Sequence, residues 1–178
     1  MHFKSPEHAI RVAYFILATR IEPSTSLQKL IKEYEEMTGE RIPHSTDMTP
    51  HDWRVQVVWI INLTKRLIGH KIGFHVLQGI HGDIMNAEVR QSLFEVSHWL
   101  NPTSDSRERL ITDLITTHIL RGRPTQQFIA DQFGVAQKTI SRIAIRYRDM
   151  INIERDHVNE VLWDEFKSAS LLSGELTG

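Results

Sequence analysis

The sequence predicts an all-α fold, with a helical N-terminal domain over residues 1–101 and a second helical domain over 102–178. Three observations predict it. Apolar residues recur at three- and four-residue intervals along most of the chain. No segment sustains the two-residue alternation of a strand. Cap-forming residues, prolines and glycines punctuate the periodic stretches where helices should start and stop. At 178 residues the chain can bury a sizeable core without disulfides or metal staples.

The elements follow in order. Ser5-Pro6-Glu7 is a cap followed by proline in the first turn, and apolar Ile10, Ala13, Tyr14 and Leu17 follow at helical spacing. A second helix, carrying the charged amphipathic stretch "LQKLIKEYEEM", should start near Ser26 and end at Gly39. A polar, proline-containing loop covers 41–46. Thr49-Pro50 repeats the cap signal and opens a helix with Trp53, Val57, Val58, Ile60, Ile61, Leu63 and Leu67. That helix is apolar nearly all round, so it is expected at the centre of the core.

Between His70 and Gly82 stand Gly73, Gly79 and Gly82, so a helix there should be short or broken. Asn86 should cap a helix reaching Leu100. Asn101-Pro102-Thr103-Ser104 is a clear break and the expected domain boundary. A helix over about 105–120 leads into "PTQQFIADQFGVAQKTISRIAIRYRDM", residues 124–150.

Composition narrows the chemistry. There is no cysteine, which excludes disulfides, thiolate nucleophiles and cysteine zinc sites and suits a cytoplasmic protein. Apolar runs such as "VVWII" are too short to span a bilayer. "VAYFILA" (residues 12–18) is bracketed by Arg11 and Arg20 and reads as an amphipathic helix, not a signal peptide. The net charge of −1 hides an asymmetry. Residues 118–150 carry six Lys/Arg against two acids, while 151–178 carry two against six. A basic patch beside an acidic tail says more about partners than a near-neutral total.

The stretch 124–150 meets the needs of two helices crossing steeply through a tight turn. Gly134 can take the positive φ of the turn, and Ala130, one turn earlier, allows close approach. Ile129, Phe133, Val135, Ile140 and Ile143 supply apolar inner faces, and Pro124-Thr125 supplies the first cap. "IADQFGVAQKTISRI" resembles the helix-turn-helix family at every structural position, with Ala130, Gly134, Val135 and Ile140 as motif residues. It departs at Ala136, where many members carry a capping serine.

The resemblance implies double-stranded DNA as partner, with the second helix in the major groove. The implied DNA-binding residues are Gln137, Lys138, Thr139, Ser141, Arg142 and Arg146, together with Arg121, Arg123 and Thr125. Arginine can bond bidentately to guanine and glutamine to adenine. Arg121, Arg123 and Arg148 are expected on phosphates, which position without specifying sequence. The bland alternative is a helical bundle whose basic face is merely solvated.

One such helix reads few base pairs. Each bidentate contact discriminates by about 1–3 kcal/mol, whereas specific sites need about 4–10 kcal/mol over non-specific DNA. Residues 1–100 are therefore expected to supply a homodimer contact or a partner contact, RNA polymerase being one candidate partner, and the acidic tail around Asn159–Phe166 is a second candidate for that contact. The layout after residue 102 is similar to the terminal helix-turn-helix of sigma factors and phage antiterminators, which implies a bacterial or phage regulator. DNA-packaging recognition subunits and protein-interaction modules share the fold and stay open.

No catalytic role, cofactor or metal is expected. His70, His75 and His81 are spaced by five and six residues, which does not place them on one helical face, and no HExxH or Gly-rich phosphate loop occurs. Trp53, Trp59, Trp99 and Trp163 read as core anchors, and His98 and His118 as flanking the core.

Overall fold

A computed structural model describes residues 3–19, 27–42 and 49–172. The expected helix start at Ser26 and the loop over residues 43–46 lie outside the described residues. The protein is all-α, as its periodicity predicts, and no strand occurs among the described residues. Its helices are α1 (Pro6–Ala18), α2 (Leu27–Thr38), α3 (Pro50–Ile68), α4 (Ile72–His81), α5 (Ala87–Leu100), α6 (Ser106–Arg121), α7 (Gln126–Phe133) and α8 (Gln137–Ser168). None of them is long and apolar enough to cross a membrane.

The caps sit where the sequence places them. Ser5 Oγ accepts from the His8 amide at 3.1 Å, and Asn86 Oδ1 accepts from Glu88 at 2.8 Å. Asp105 Oδ1 accepts from Glu108 at 2.7 Å. At α3 the bonding is reciprocal. The Asp52 amide donates to Thr49 Oγ1 and the Thr49 amide to Asp52 Oδ2, which satisfies two end donors together.

The chain divides into two compact units, one formed by Met1–Leu67 with Asn159–Gly178 and the other by Ile68–Val158. The expected boundary at 101–102 lies inside the second unit, where 101–104 merely joins α5 to α6. Asparagine and proline there do end a helix, but the helices on either side pack on each other, which a local break cannot reveal. The second helix of the basic stretch and the acidic region form one element, α8, which continues past Met150 to Ser168.

In the first unit, Phe3, Ile10, Ile16, Leu30, Tyr34, Trp53, Val57, Ile60, Leu162 and Phe166 are buried. The Phe3 amide donates to Leu171 O at 2.6 Å. Burial pushes the Tyr34 phenol up to about 12, so it stays protonated and donates to Glu40 Oε2 at 3.3 Å. Glu40 also pairs with Arg11 at 3.0 Å. The expectation that α3, apolar nearly all round, lies at the centre of the core is met on one face only. Trp53, Val57, Ile60 and Leu63 are buried, but Val55, Val58 and Trp59 stand exposed, so Trp59 is not a core anchor.

The second unit is built around Val76, Val96, Leu100, Ile115, Leu120, Ile129, Ala130, Ile140, Ala144, Tyr147 and Ile151. The helix expected between His70 and Gly82 to be short or broken is short but unbroken: α4 runs ten residues through Gly73 and Gly79 and ends at Gly82. Gly73 and Gly79 serve close packing. A Cβ at Gly73 would lie 1.9 Å from Val158 Cγ2, and one at Gly79 would lie 3.0 Å from Leu120 Cδ1. A polar network ties α4 to α5. Ser92 Oγ donates to Gln78 Oε1 at 2.6 Å and lies 2.9 Å from His75 Nδ1. On the other side of α5, Ser97 Oγ donates to Asp113 Oδ1 of α6.

Candidate nucleic-acid interface

The candidate surface is built from the end of α6, the whole of α7 and the first half of α8, all in the second unit. Gly122 closes α6 in the left-handed conformation at φ 73°, and its amide donates to His118 O. The Arg123–Pro124 peptide is cis. Thr125 then caps α7, its Oγ1 accepting from the Phe128 amide at 3.2 Å. His118 spans this connection, with Nδ1 2.8 Å from Pro124 O and Nε2 3.2 Å from Gln126 Nε2. The carbonyl accepts from Nδ1–H, which leaves the Nε2 lone pair free to accept from the Gln126 amide.

The turn between α7 and α8 has a defined geometry. Gly134 adopts φ 60°, ψ 35°. The Val135 amide reaches back to Ala130 O at 3.0 Å, and the Gly134 amide to Asp131 O at 3.4 Å. This pair of bonds is the Schellman closure of a helix, and it satisfies carbonyls that the helix end leaves orphaned. A third end carbonyl, Phe133 O, accepts from Arg107 Nη2 of α6 at 2.6 Å. The cation there also suits the negative end of the α7 dipole. Sequence reasoning missed Arg107, because it stands far from the motif and no local pattern marks it.

The apolar positions face inward. Ile129, Ala130 and Ile140 are buried, and Phe133, Val135 and Ile143 pack half-buried against the same core. Further along α8, Ala144, Tyr147 and Ile151 continue that buried face. It follows that residues at the opposite phase look outward. Lys138, Arg142, Ile145 and Asp149 form that outward stripe and are exposed. Gln137, Thr139 and Arg146 are exposed on its flanks, and Ser141 is half-buried. Ile145, at 52% exposure, gives the stripe an apolar centre between its cations. Helix α8 starts from Ala136 without a side-chain cap, and its first turn holds no acid.

Arg142 and Arg146 also rim a cleft of about 410 Å³, lined in addition by Asn101, Ile143 and Tyr147. The Arg146 guanidinium lies 5.4 Å from the Tyr147 ring centroid, within cation–π range. Asn101 was legible only as a helix breaker, and its place beside the arginines depends on the α5–α6 packing.

The structure does not bring all the expected residues together as free cations and donors. Arg123 and Thr125 are exposed, but the Thr125 hydroxyl is engaged in capping. Arg121 has a structural partner. Its guanidinium is half-buried and donates to Gly82 O, tying the end of α6 to the end of α4. Burial lowers its pKa from the ordinary value, though the guanidinium stays charged. His98 is exposed and stacked on Phe94, and Arg109 lies over the same Phe94 ring. Among the described residues, no three His, Asp or Glu side chains gather as a metal site. No protein-family model matches the chain, and comparison with curated proteins returns no match.

Proposed function

We propose that α7 and α8 form a DNA-reading helix-turn-helix and that the protein is a sequence-specific regulator of transcription. One observation carries this reading. The left-handed Gly134 turn delivers a helix whose inner face is wholly engaged in the core and whose outer face offers Lys138, Arg142 and Arg146. No acid appears among the first twelve residues of that helix, and the positive end of its dipole lies at this N-terminal end. A cationic helical face of this kind suits the major groove, where Arg142 and Gln137 can bond guanine and adenine edges. Arg123 and Arg146 suit the flanking phosphates, and the cleft beside Arg146 has room for a backbone oxygen.

The test is selection of bound fragments from a random-sequence duplex pool, with Arg142→Ala and Lys138→Ala run beside the parent. The parent should enrich a short motif. Each variant should lose about 1–3 kcal/mol of discrimination at one base position and keep its helical circular-dichroism signal. Absence of enrichment by the parent would refute the reading and leave α7–α8 as a structural hairpin. An enriched two-fold motif identifies a dimeric regulator. A lone half-site identifies a partner, RNA polymerase among the candidates, that supplies the remaining contacts.

A further inference from the structure

Helix α8 holds an apolar side chain in the middle of its polar outward stripe. Ile145 is 52% exposed, with Arg142 one turn before it and Asp149 one turn after. A single exposed apolar residue needs no explanation by itself. Its surroundings set this one apart. The exposed charges between residues 123 and 150 are Arg123, Lys138, Arg142, Arg146 and Arg148 against Asp131 and Asp149, five cations less two acids, so +3. No ion pair engages any of these cations among the described residues. Ile153, 70% exposed two turns further on, lacks this setting, because its neighbours Glu154, Arg155 and Asp156 are two acids against one cation.

An apolar group inside a cationic face fits a polyanion that carries an apolar group of its own. The major groove of duplex DNA displays one, the thymine C5 methyl. The other groups read there are hydrogen-bond donors and acceptors. An isoleucine pressed on those would strip their water and return no hydrogen bond. We infer that Ile145 reads a thymine through its methyl group and so fixes an A·T pair beside the pair that Arg142 reads. The inference rests on α8 as the groove helix and names a base which that helix selects. Three residues of helix rise about 4.5 Å, and one base-pair step is about 3.4 Å. For a helix lying along the groove, the thymine therefore belongs about one or two pairs from the position that Arg142 governs.

The test uses the full chain and the duplex it enriches from the random-sequence pool. Each thymine is replaced in turn by uracil, which keeps the base pairing and removes only the methyl. Anisotropy titrations then measure the affinity of the parent and of Ile145→Ala for each duplex. One replacement should weaken the parent about four-fold, the worth of one buried methyl. The same replacement should leave Ile145→Ala unaffected, while Arg142→Ala should keep the parent's sensitivity. Added salt should leave the four-fold ratio nearly constant, since a methyl contact displaces no counterions. The uracil series on the parent needs no variant, so it decides the matter even where a variant fails to fold. A parent indifferent to every replacement overturns the inference, and so does a sensitivity that Ile145→Ala retains in full. A sensitive thymine more than about two pairs from the Arg142 position overturns the direct contact. An enriched motif without uracil sensitivity removes the role of Ile145 and leaves the proposed function standing. A parent that enriches no duplex overturns both.

Discussion

Gly134 provides a sharp test of the α7–α8 turn, because its constraint is purely one of backbone angle. A Cβ added there meets nothing within 4 Å, so a substitution brings no clash. Its φ of 60° is the whole cost. An alanine held in the left-handed region loses about 1–2 kcal/mol, and the reduced freedom of its unfolded chain returns about 0.4–1 kcal/mol. Gly134→Ala should therefore destabilise by about 1 kcal/mol. Gly134→Val should cost more, about 2 kcal/mol, since a β-branched residue resists positive φ. Gly134→Asn should be nearly neutral, because asparagine tolerates this region. For a unit of roughly 60–100 residues, 1 kcal/mol moves the melting temperature by about 4–8 °C. Thermal and urea unfolding followed by circular dichroism measure the order Asn, Ala, Val. Equal stability of the Val and Asn variants would refute the argument that φ alone governs the site.

Gly73 is the opposite case, constrained by space. Gly73→Ala would force Val158 to move, and overpacking of this kind costs about 1–3 kcal/mol against at most about 1 kcal/mol gained in helix propensity, so urea unfolding should show a net loss. Arg121→Met should lower the stability of its unit and leave the salt slope of DNA binding unchanged, whereas Arg146→Met should reduce that slope by about 1 with little effect on stability. Titrations at several salt concentrations, paired with melting curves, separate the two. Burial holds His75 below the ordinary imidazole value of 6.5. The folded state therefore binds fewer protons than the unfolded chain, and stability is full above pH 6.5 and falls as the pH drops through and below it. Buried His8 acts in the same direction in the first unit. The acid sensitivity of unfolding between about pH 7 and 5 should shrink in His75→Asn, and an unchanged profile would discount the buried imidazole.

Much of this architecture is legible from local rules. The capping residues Ser5, Asn86, Asp105 and Thr125 each bond as their chemistry dictates, because a cap depends on residues three or fewer away. The turn at Gly134 is legible for the same reason. What periodicity cannot supply is the partner of each face. Trp59 and Trp53 look alike in sequence, yet one is exposed and one buried, since the apolar surplus of α3 exceeds what its unit covers. Gly73 and Gly79 read as helix breakers because the neighbours that need their missing side chains, Val158 and Leu120, lie about 85 and 40 residues away. Arg121 reads as a surface cation for want of any sign that Gly82 O would take its proton donors. Arg107 and Asn101, which shape the candidate surface, were invisible for the same non-local reason.

Helix α8 has a further consequence in its charge order. It runs for 32 residues, about 48 Å, with basic side chains gathered in its first half and acids in its second. That order opposes the helix's own dipole, whose positive end already lies at Gln137. Only Lys167, in the last turn, is placed with the dipole. The free helix is thus held under internal electrostatic tension, which dissolved salt relieves by screening. A polyanion laid along the first half would relieve it more completely than salt does. Moderate salt should accordingly steady the unbound chain while loosening any complex with a polyanion, so that one variable moves the two equilibria in opposite directions.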